Sequence, residues 1–474
     1  MDAESFRRHG HRIVEWIAGY LDDAASYPVL SRVEPGQIRD ALPRSAPIEG
    51  EPFDRILEDF ERLILPGITH WNHPGFFAYF ATTGSAPGIL AEFLAAALNV
   101  QAMLWRTSPA ATELEEVALG WLRDLLGLPA AFEGVIYDTA SVATLHALAA
   151  ARQAALPGVR ERGLAGAPRL AVYCSEHAHS SVDKAVILIG LGQEALRKIP
   201  TDAAFRLRPH ALAQAIAEDR ASGFTPMAVV ATVGTTSTTS VDPVPALAET
   251  CAAEGVWLHV DAAYAGVAAL VPDHRDVLAG CERADSLVVN PHKWLFTPFD
   301  LSAFYCRRMD AVRAAFSLVP EYLVTTESAP VRNLMDTGVQ LGRRFRALKL
   351  WMVLRYFGAE GLAARIAEHM RLARLFASWV DADPDFERLA PVPFSVVCFR
   401  ARPRSGGLGE RALDSLNERL MEAVNRSGEV FLSHTRLDGR YALRLAVCHI
   451  RTTERHVARA WELLRKETES LAGP

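Results

Sequence analysis

The stretch VWLHVDAAYAGVAALVPDHRDVLAGCERADSLVVNPHKW, residues 256–294, holds two apolar runs, 256–260 and 286–289. The first runs into Asp261 and the second into Asn290, His292 and Lys293. Short, almost uninterrupted apolar runs rich in β-branched residues read as strands buried on both faces. Working outward, runs of the same kind recur at GVIYD (134–138), LAVYC (170–174), MAVVATV (227–233) and SAFYC (302–306), with Ala/Leu-rich helical patterns between them. Buried strands alternating with helices predict an α/β core around a mostly parallel sheet, beginning near residue 86.

The flanks are built differently. Phe6, Ile13, Val14, Ile17 and Leu21 recur at helical spacing and predict an amphipathic helix over 3–23. A Pro/Gly-punctuated segment, 33–53, separates it from a second helical pattern at 54–65. Residues 1–85 therefore read as an N-terminal helical arm whose apolar faces need another surface, and 86–345 as the large domain. Residues 346–474 read as a small C-terminal α/β domain: a long helix to about 380, strands at PFSVVCFR (393–400) and YALRLAVC (441–448), and helices at 409–426 and 453–471.

Composition narrows the partners. A chain of 474 residues that is 50% hydrophobic and 22% charged can bury a large core, which excludes disorder and a disulfide-stapled miniprotein. Fifty Lys+Arg against 56 Asp+Glu leave a net charge of −6, which gives no electrostatic ground for nucleic acid or an anionic membrane. The six cysteines show no C-x-x-C and read as buried thiols in a reducing compartment. The N-terminus is charged from Asp2 onward, and the longest apolar run, 88–105, is broken by Glu92 and Asn99. The expectation is a cytoplasmic protein without a membrane span that binds a small neutral or zwitterionic molecule.

Four strand ends carry chemistry. Lys293, just beyond a buried strand and between His292 and Trp294, sits where desolvation makes an amine a nucleophile toward a carbonyl. A Lys beside a Trp also suits a snorkelling surface residue. Asp261 closes a strand in which His259, Asp261 and Ala263 alternate onto one face. A buried carboxylate there calls for a cation such as a pyridinium nitrogen, or else caps a helix. Tyr137-Asp138-Thr139-Ala140-Ser141 is a strand-to-helix turn whose amides and hydroxyls suit a phosphate, or again a plain cap. His177 and His179 follow LAVYC; with no carboxylate or Cys at ligand spacing, a metal is not expected, and a ring-stacking or proton-transferring role suits a His better. An amine, an acid for a ring nitrogen, a phosphate cradle and a flat imidazole together are the equipment for pyridoxal phosphate.

With these residues in view, the sequence resembles the group II pyridoxal-phosphate decarboxylases, in particular the aromatic L-amino acid decarboxylase branch. The likeness covers nearly the whole chain and includes PGITHWNHPGFFAYF (66–80), TSPAATELE (107–115), AHSSVDKA (178–185), ATVGTTSTTSVD (231–242), WLHVDAAYAG (257–266), NPHKW (290–294) and LGRRFRALKLW (341–351). It implies the aspartate-aminotransferase-like fold type I and an obligate homodimer interlocked by the N-terminal arm, with the active site at the subunit interface. It also implies decarboxylation of an amino acid, most naturally aromatic, to the amine and CO₂ through a quinonoid intermediate. Carried onto this chain, it makes Lys293 the Schiff-base lysine, pairs Asp261 with the pyridine nitrogen, stacks His179 over the ring and packs Ala263 on its other face. Thr139, Ala140 and Ser141 hold the phosphate, helped by Thr236, Asn290 and His292. Trp71, Tyr79, Phe80 and Thr82 of the arm, with Phe299, form the side-chain pocket.

Two departures from the family pattern bear on product and substrate. The family credits the final proton to a loop Tyr shortly before LGRR; counting back from Leu341 puts Leu334 there, and no Tyr stands between Tyr322 and Tyr356. Relatives with an apolar residue at that place let O₂ react, which gives aldehyde, ammonia and peroxide, so an aldehyde synthase is the alternative. Gln101 and Met103 stand where aromatic-specific relatives carry an aliphatic and an aromatic residue, which loosens the aromatic assignment. An aminotransferase would want an Arg clamp on the substrate carboxylate. A silent binding subunit would not need Lys293, Asp261 and His179 together.

Overall fold

The computed structural model describes residues 1–318, 331–404 and 407–472; half of the segment 317–340, including Tyr322, lies outside the described residues. The chain divides into two units, Thr82–Ala373 with Ala390–Val397, and Met1–Ala81 with Arg374–Leu389 and Cys398–Pro474. These limits set the first 81 residues with the C-terminal segments, which differs from the division into arm, large domain and small domain read along the sequence.

The larger unit is built on a seven-stranded sheet: β1 (Glu133–Tyr137), β2 (Arg169–Ser175), β3 (Leu196–Ile199), β4 (Phe224–Thr232), β5 (Trp257–Asp261), β6 (Ser286–Val289) and β7 (Ser302–Cys306). In space they run β1-β7-β6-β5-β4-β2-β3. Six point the same way, and β7 alone is antiparallel to its neighbours β1 and β6. The parallel strands are joined through helices, whereas β7 returns from β6 after only the turn Pro291–Trp294 and a short loop, a connection that suits an antiparallel neighbour. Every residue of β5, β6 and β7 is buried, as their continuous apolar reading requires.

The helix Ala140–Ala155 follows β1 directly and lays Ala143, Ala147, Leu148 and Ala151 into the core with Val135, Val172, Val230 and Val288. Alanines along that face let the helix lie close to the sheet. Its N-terminus is thereby fixed at the C-terminal ends of the strands, where open α/β sheets bind ligands.

Most elements expected from the sequence are present, with instructive differences. The second helical pattern is α-helical over Phe53–Asp59, then widens to a π turn over Phe60–Ile64. The long helix Ala347–Ala382 is broken at Gly358, whose φ of 64° and ψ of 170° only glycine adopts readily. The smaller unit holds the helices Ala3–Asp22, Glu410–Arg426 and Glu454–Ala472. A four-stranded sheet has the order β10-β11-β9-β8, from β8 (Phe386–Arg388), β9 (Val396–Ala401), β10 (Ser433–Leu437) and β11 (Arg440–Ala446). β3, β8 and β10 have no apolar run to announce them. All six cysteines are free and buried, and among the described residues no helix is long and apolar enough to cross a membrane.

Candidate active site

The parallel strands β1, β2, β4, β5 and β6 end on one edge of the large sheet, and the residues expected to hold a coenzyme follow those ends. Thr139–Ser141 follow β1, His179 follows β2, Thr236 follows β4, Asp261 closes β5, and Asn290, His292 and Lys293 follow β6. The edge is stitched by backbone hydrogen bonds that continue past the strands: Val233 N–H to Asp261 O (2.8 Å), Ala262 N–H to Val288 O (3.0 Å) and Asn290 N–H to Ala263 O (3.0 Å).

Asp261 is buried, and its Oδ1 accepts the Ala263 N–H at 3.1 Å. The strand ends at Asp261, so Ala263 lies in the following turn; the alternation expected to carry His259, Asp261 and Ala263 on one face stops one step short. His259, fully buried beneath Asp261, sits 2.9 Å through Nδ1 from Ser286 Oγ, which also accepts the Trp257 indole N–H at 3.0 Å. Burial pulls its pKa down to about 4, against the pull of Asp261, and the ring is neutral at pH 7.

Lys293 is half-buried on the turn Pro291–Trp294. The turn is braced from behind. Trp294 is fully buried, stacks on Tyr264 with centroids 4.7 Å apart and planes within 6°, and donates its indole N–H to His369 Nδ1 at 3.0 Å. Tyr264 in turn bonds Ser395. His179 Nδ1 accepts the Ser181 N–H at 3.1 Å, which leaves the ring proton on Nε2. Burial lowers the His179 pKa, Asp261 opposes that shift and Lys293 adds to it. The carboxylate and the amine thus both stand near enough to the imidazole for it to feel their charge.

His292 is buried and neutral, its pKa lowered to about 3 first by burial and then by Lys293. The Leu301 N–H donates to its Nδ1 at 2.9 Å, so the proton is on Nε2, which lies 3.3 Å from the Asn290 carboxamide. Asn290 is also joined to Ser302 Oγ at 2.6 Å. After β4, Thr235 bonds Thr238 Oγ1 (3.1 Å) and Ser240 Oγ (3.0 Å), which leaves Thr236 as the exposed hydroxyl of that loop. Gly234 makes the loop possible: its φ is 90°, and a Cβ would lie 2.6 Å from the Ala265 side chain.

At the helix Ala140–Ala155, Thr139 is the N-cap but makes no side-chain capping bond; its carbonyl accepts from Val142 and Ala143 N–H at 3.1 Å each. The Ala140 and Ser141 N–H groups belong to the first turn, where no intrahelical acceptor exists.

The residues expected to line a substrate pocket divide. Phe299 is exposed and meets the His292 ring edge-on at 4.9 Å, and Thr82 is half-buried. Gln101 and Met103 are engaged with the segment 333–343: Gln101 Oε1 accepts the Arg343 N–H at 2.6 Å, Met103 O accepts the Met335 N–H at 3.0 Å, and Met103 packs on Met335. Leu334 is buried in the core cluster that includes Tyr137, Ala147 and Val312, so its side chain faces that core rather than an open wall. Trp71, Tyr79 and Phe80 belong to the smaller unit, where Trp71 stacks on Tyr79 at 6.0 Å and the Arg444 guanidinium covers the Phe80 ring at 4.7 Å. Sequence reading missed the Tyr264 brace, Ser302 and Ser181. Tyr264 and Ser181 stand inside blocks already singled out; Ser302 was placed only in a strand. Among the described residues no group of three or more His, Cys, Asp or Glu is placed to hold a metal.

A model of the pyridoxal-dependent decarboxylase conserved domain matches residues 35–402. The chain belongs to the pyridoxal-dependent decarboxylase family. Within it, the chain is 42% identical to a phenylacetaldehyde synthase of Arabidopsis thaliana, over 99% of this chain and 97% of that protein. It is 41% identical to tryptophan decarboxylase 2 of Oryza sativa subsp. japonica, over 100% and 96%. The Oryza sativa TDC structure with PLP and tryptamine superposes with a TM-score of 0.97 at 40% identity, covering 100% of this chain and 99% of that one. The Rhodiola rosea 4-hydroxyphenylacetaldehyde synthase structure gives 0.93 at 33%, covering 100% of each. This decarboxylase therefore has fold type I, is a group II carboxy-lyase and uses pyridoxal phosphate. The strand edge fits that coenzyme: an uncapped helix N-terminus suits a phosphate, and a buried carboxylate on β5 near a half-buried amine suits a protonated ring and its aldehyde.

Proposed function

We propose that the enzyme decarboxylates an aromatic L-amino acid to the corresponding amine, consuming one proton and releasing CO₂. The observation that carries this reading is the placement of His179, Asp261 and Lys293 at the ends of parallel strands on one sheet edge, where the uncapped helix Ala140–Ala155 also begins. The names of the relatives, tryptophan and tyrosine decarboxylases among them, support the aromatic class.

In this reading Lys293 would hold the coenzyme aldehyde, and the Ala140 and Ser141 amides with the Thr139 and Thr236 hydroxyls would hold its phosphate. Asn290 and His292 would support that end, and Ala263 would pack against the ring. Pyridoxal phosphate, when bound, supplies the electron sink for the pair released as the carboxylate leaves. Asp261, buried at the end of β5, would face the ring nitrogen and keep it protonated. His179, oriented by Ser181, presents Nε2–H as a proton carrier, and Lys293 is a second amine able to return a proton to Cα.

A second reading has one observation in its favour. Leu334 replaces the Tyr that the family pattern leads one to expect, which favours an aldehyde synthase that consumes O₂ and water and yields aldehyde, CO₂, ammonia and hydrogen peroxide. The arm 1–85 is proposed to interlock two copies around a shared site, which would cover its exposed apolar residues Phe6 and Val14. Buried free thiols support a reducing, cytoplasmic setting. The test is to incubate holoprotein with a panel of amino acids and identify amine and aldehyde by mass, with CO₂ and peroxide counted in parallel. Amine without peroxide supports the first reading; peroxide in step with CO₂ replaces it with the second.

A further inference from the structure

The segment 334–340 is fastened to the turn that leads into the helix Ala140–Ala155. Tyr137 Oη donates to Thr337 O, the Val339 N–H donates to His146 Nε2 at 3.2 Å, and Gln340 Nε2 donates to Asp138 Oδ2 at 3.2 Å. Asp138 uses its other oxygen to accept the Thr139 N–H at 2.9 Å, inside the cradle itself. Tyr137 and His146 meet edge-to-face with centroids 4.3 Å apart. Gly338 is what lets the segment close over them, since a Cβ there would come within 3.0 Å of His146 and 3.2 Å of Tyr137.

His146 is an expensive residue in this place. It is buried, its pKa is lowered to about 3 chiefly by burial, and the neutral ring accepts through Nε2, so the proton is on Nδ1. Nδ1 is buried and has no hydrogen-bond partner among the described residues. A ring that leaves one donor unsatisfied is a poor core residue. Its other nitrogen holds the Val339 amide, and Tyr137 holds the neighbouring Thr337 carbonyl.

We propose that Tyr137, Asp138 and His146 are positioning residues of the decarboxylation, a latch that keeps segment 334–340 in register with the coenzyme cradle. The proposal rests on the function given above. The latch acts on the reaction through the turn itself, since the Asp138 carboxylate that receives Gln340 also holds the Thr139 N–H at the start of the cradle.

The test uses full-length holoenzyme carrying His146→Phe, Tyr137→Phe, and His146→Gln, whose amide oxygen restores an acceptor near the place of Nε2. Three quantities are read: amide hydrogen exchange over 334–343, retention of the coenzyme chromophore on dialysis, and kcat and KM for the preferred amino acid. The Phe variants are expected to exchange Val339 at least tenfold faster and to lose at least tenfold in kcat. KM and coenzyme retention should stay within twofold, and Gln should recover most of the loss. Faster exchange with unchanged kcat and KM would overturn the latch, as would coenzyme loss that accounts for the whole activity loss. A wild type inert toward every amino acid would overturn the proposed function and the latch with it. An active wild type beside indifferent variants overturns the latch alone.

Discussion

Replacing Glu115 by Gln leaves the Arg343 guanidinium buried without its counter-charge. Both residues are buried, and Arg343 Nη2 lies 2.7 and 3.0 Å from the two carboxylate oxygens. The pair also ties three segments together: Glu115 Oε1 accepts the Ile136 N–H at 2.8 Å, and Arg343 donates to Ile136 O at 2.9 Å. At an effective dielectric constant of about 20, charges this close attract by about 6 kcal/mol. The Gln amide keeps an acceptor for Ile136 but returns little of that attraction, and breaking one side of a buried pair costs about 3–5 kcal/mol. Glu115→Gln should therefore lose about 3–5 kcal/mol, read as a lower urea midpoint at constant slope, with protein and coenzyme concentrations held fixed. Glu115→Gln with Arg343→Met, which removes both charges, should lose less than the single variant. A single variant within about 1 kcal/mol of wild type, or a double variant worse than the single one, would refute this account of how 333–343 is held.

Lys293→Ala should yield protein without the yellow, borohydride-reducible chromophore and without turnover, measured by absorbance after dialysis. Asp261→Asn should keep the coenzyme but lower kcat about 10²–10³-fold, the scale of a lost electrostatic partner in a water-poor site, checked by CO₂ release. If peroxide accompanies CO₂ in the wild type, Leu334→Tyr should lower the peroxide-to-CO₂ ratio; an unchanged ratio would mean that position 334 does not choose the product. Stability should fall as pH drops from about 6.5 toward 4. His73 and His259 are pulled to about 4, and His146 and His292 to about 3, in each case mainly by burial, so the unfolded chain binds protons there that the folded chain refuses. Asp242, pushed up to about 6 by burial, works in the opposite direction, as do Asp285 and Glu116, but His70, His179 and His456 are also lowered by burial, so the histidines outnumber these acids. For His259 alone the loss is up to about 3 kcal/mol, so His259→Phe should flatten the pH dependence of the urea midpoint in that window.

What the sequence reveals of this protein follows how local each feature is. Strands buried on both faces announce themselves by composition, so β1, β2, β4, β5, β6 and β7 were visible, and so were the polar residues just beyond them. β3 reads LRKI and β10 reads SHTRL, short segments whose alternation is too brief to stand out. The alternation argument for Ala263 stops short for a related reason: period-two reasoning holds only while the strand lasts, and β5 stops at Asp261.

Segment 334–340 was illegible for a deeper reason. Tyr137 and Thr337 are 200 residues apart in the chain, and Asp138 and Gln340 are 202 apart, so no local pattern connects them. Read alone, Tyr137 and Asp138 look like the start of a phosphate turn, His146 like a helix residue, and Gly338 like loop punctuation. Together they make one arrangement: a neutral imidazole that can accept, a phenol that can donate, and a glycine that leaves room for both rings. The family pattern puts the expected coenzyme residues at the strand ends, and the structure adds that segment 334–340 is fastened to one of those turns. A change at Tyr137, Asp138 or His146 is therefore expected to act on turnover through the turn that begins the cradle.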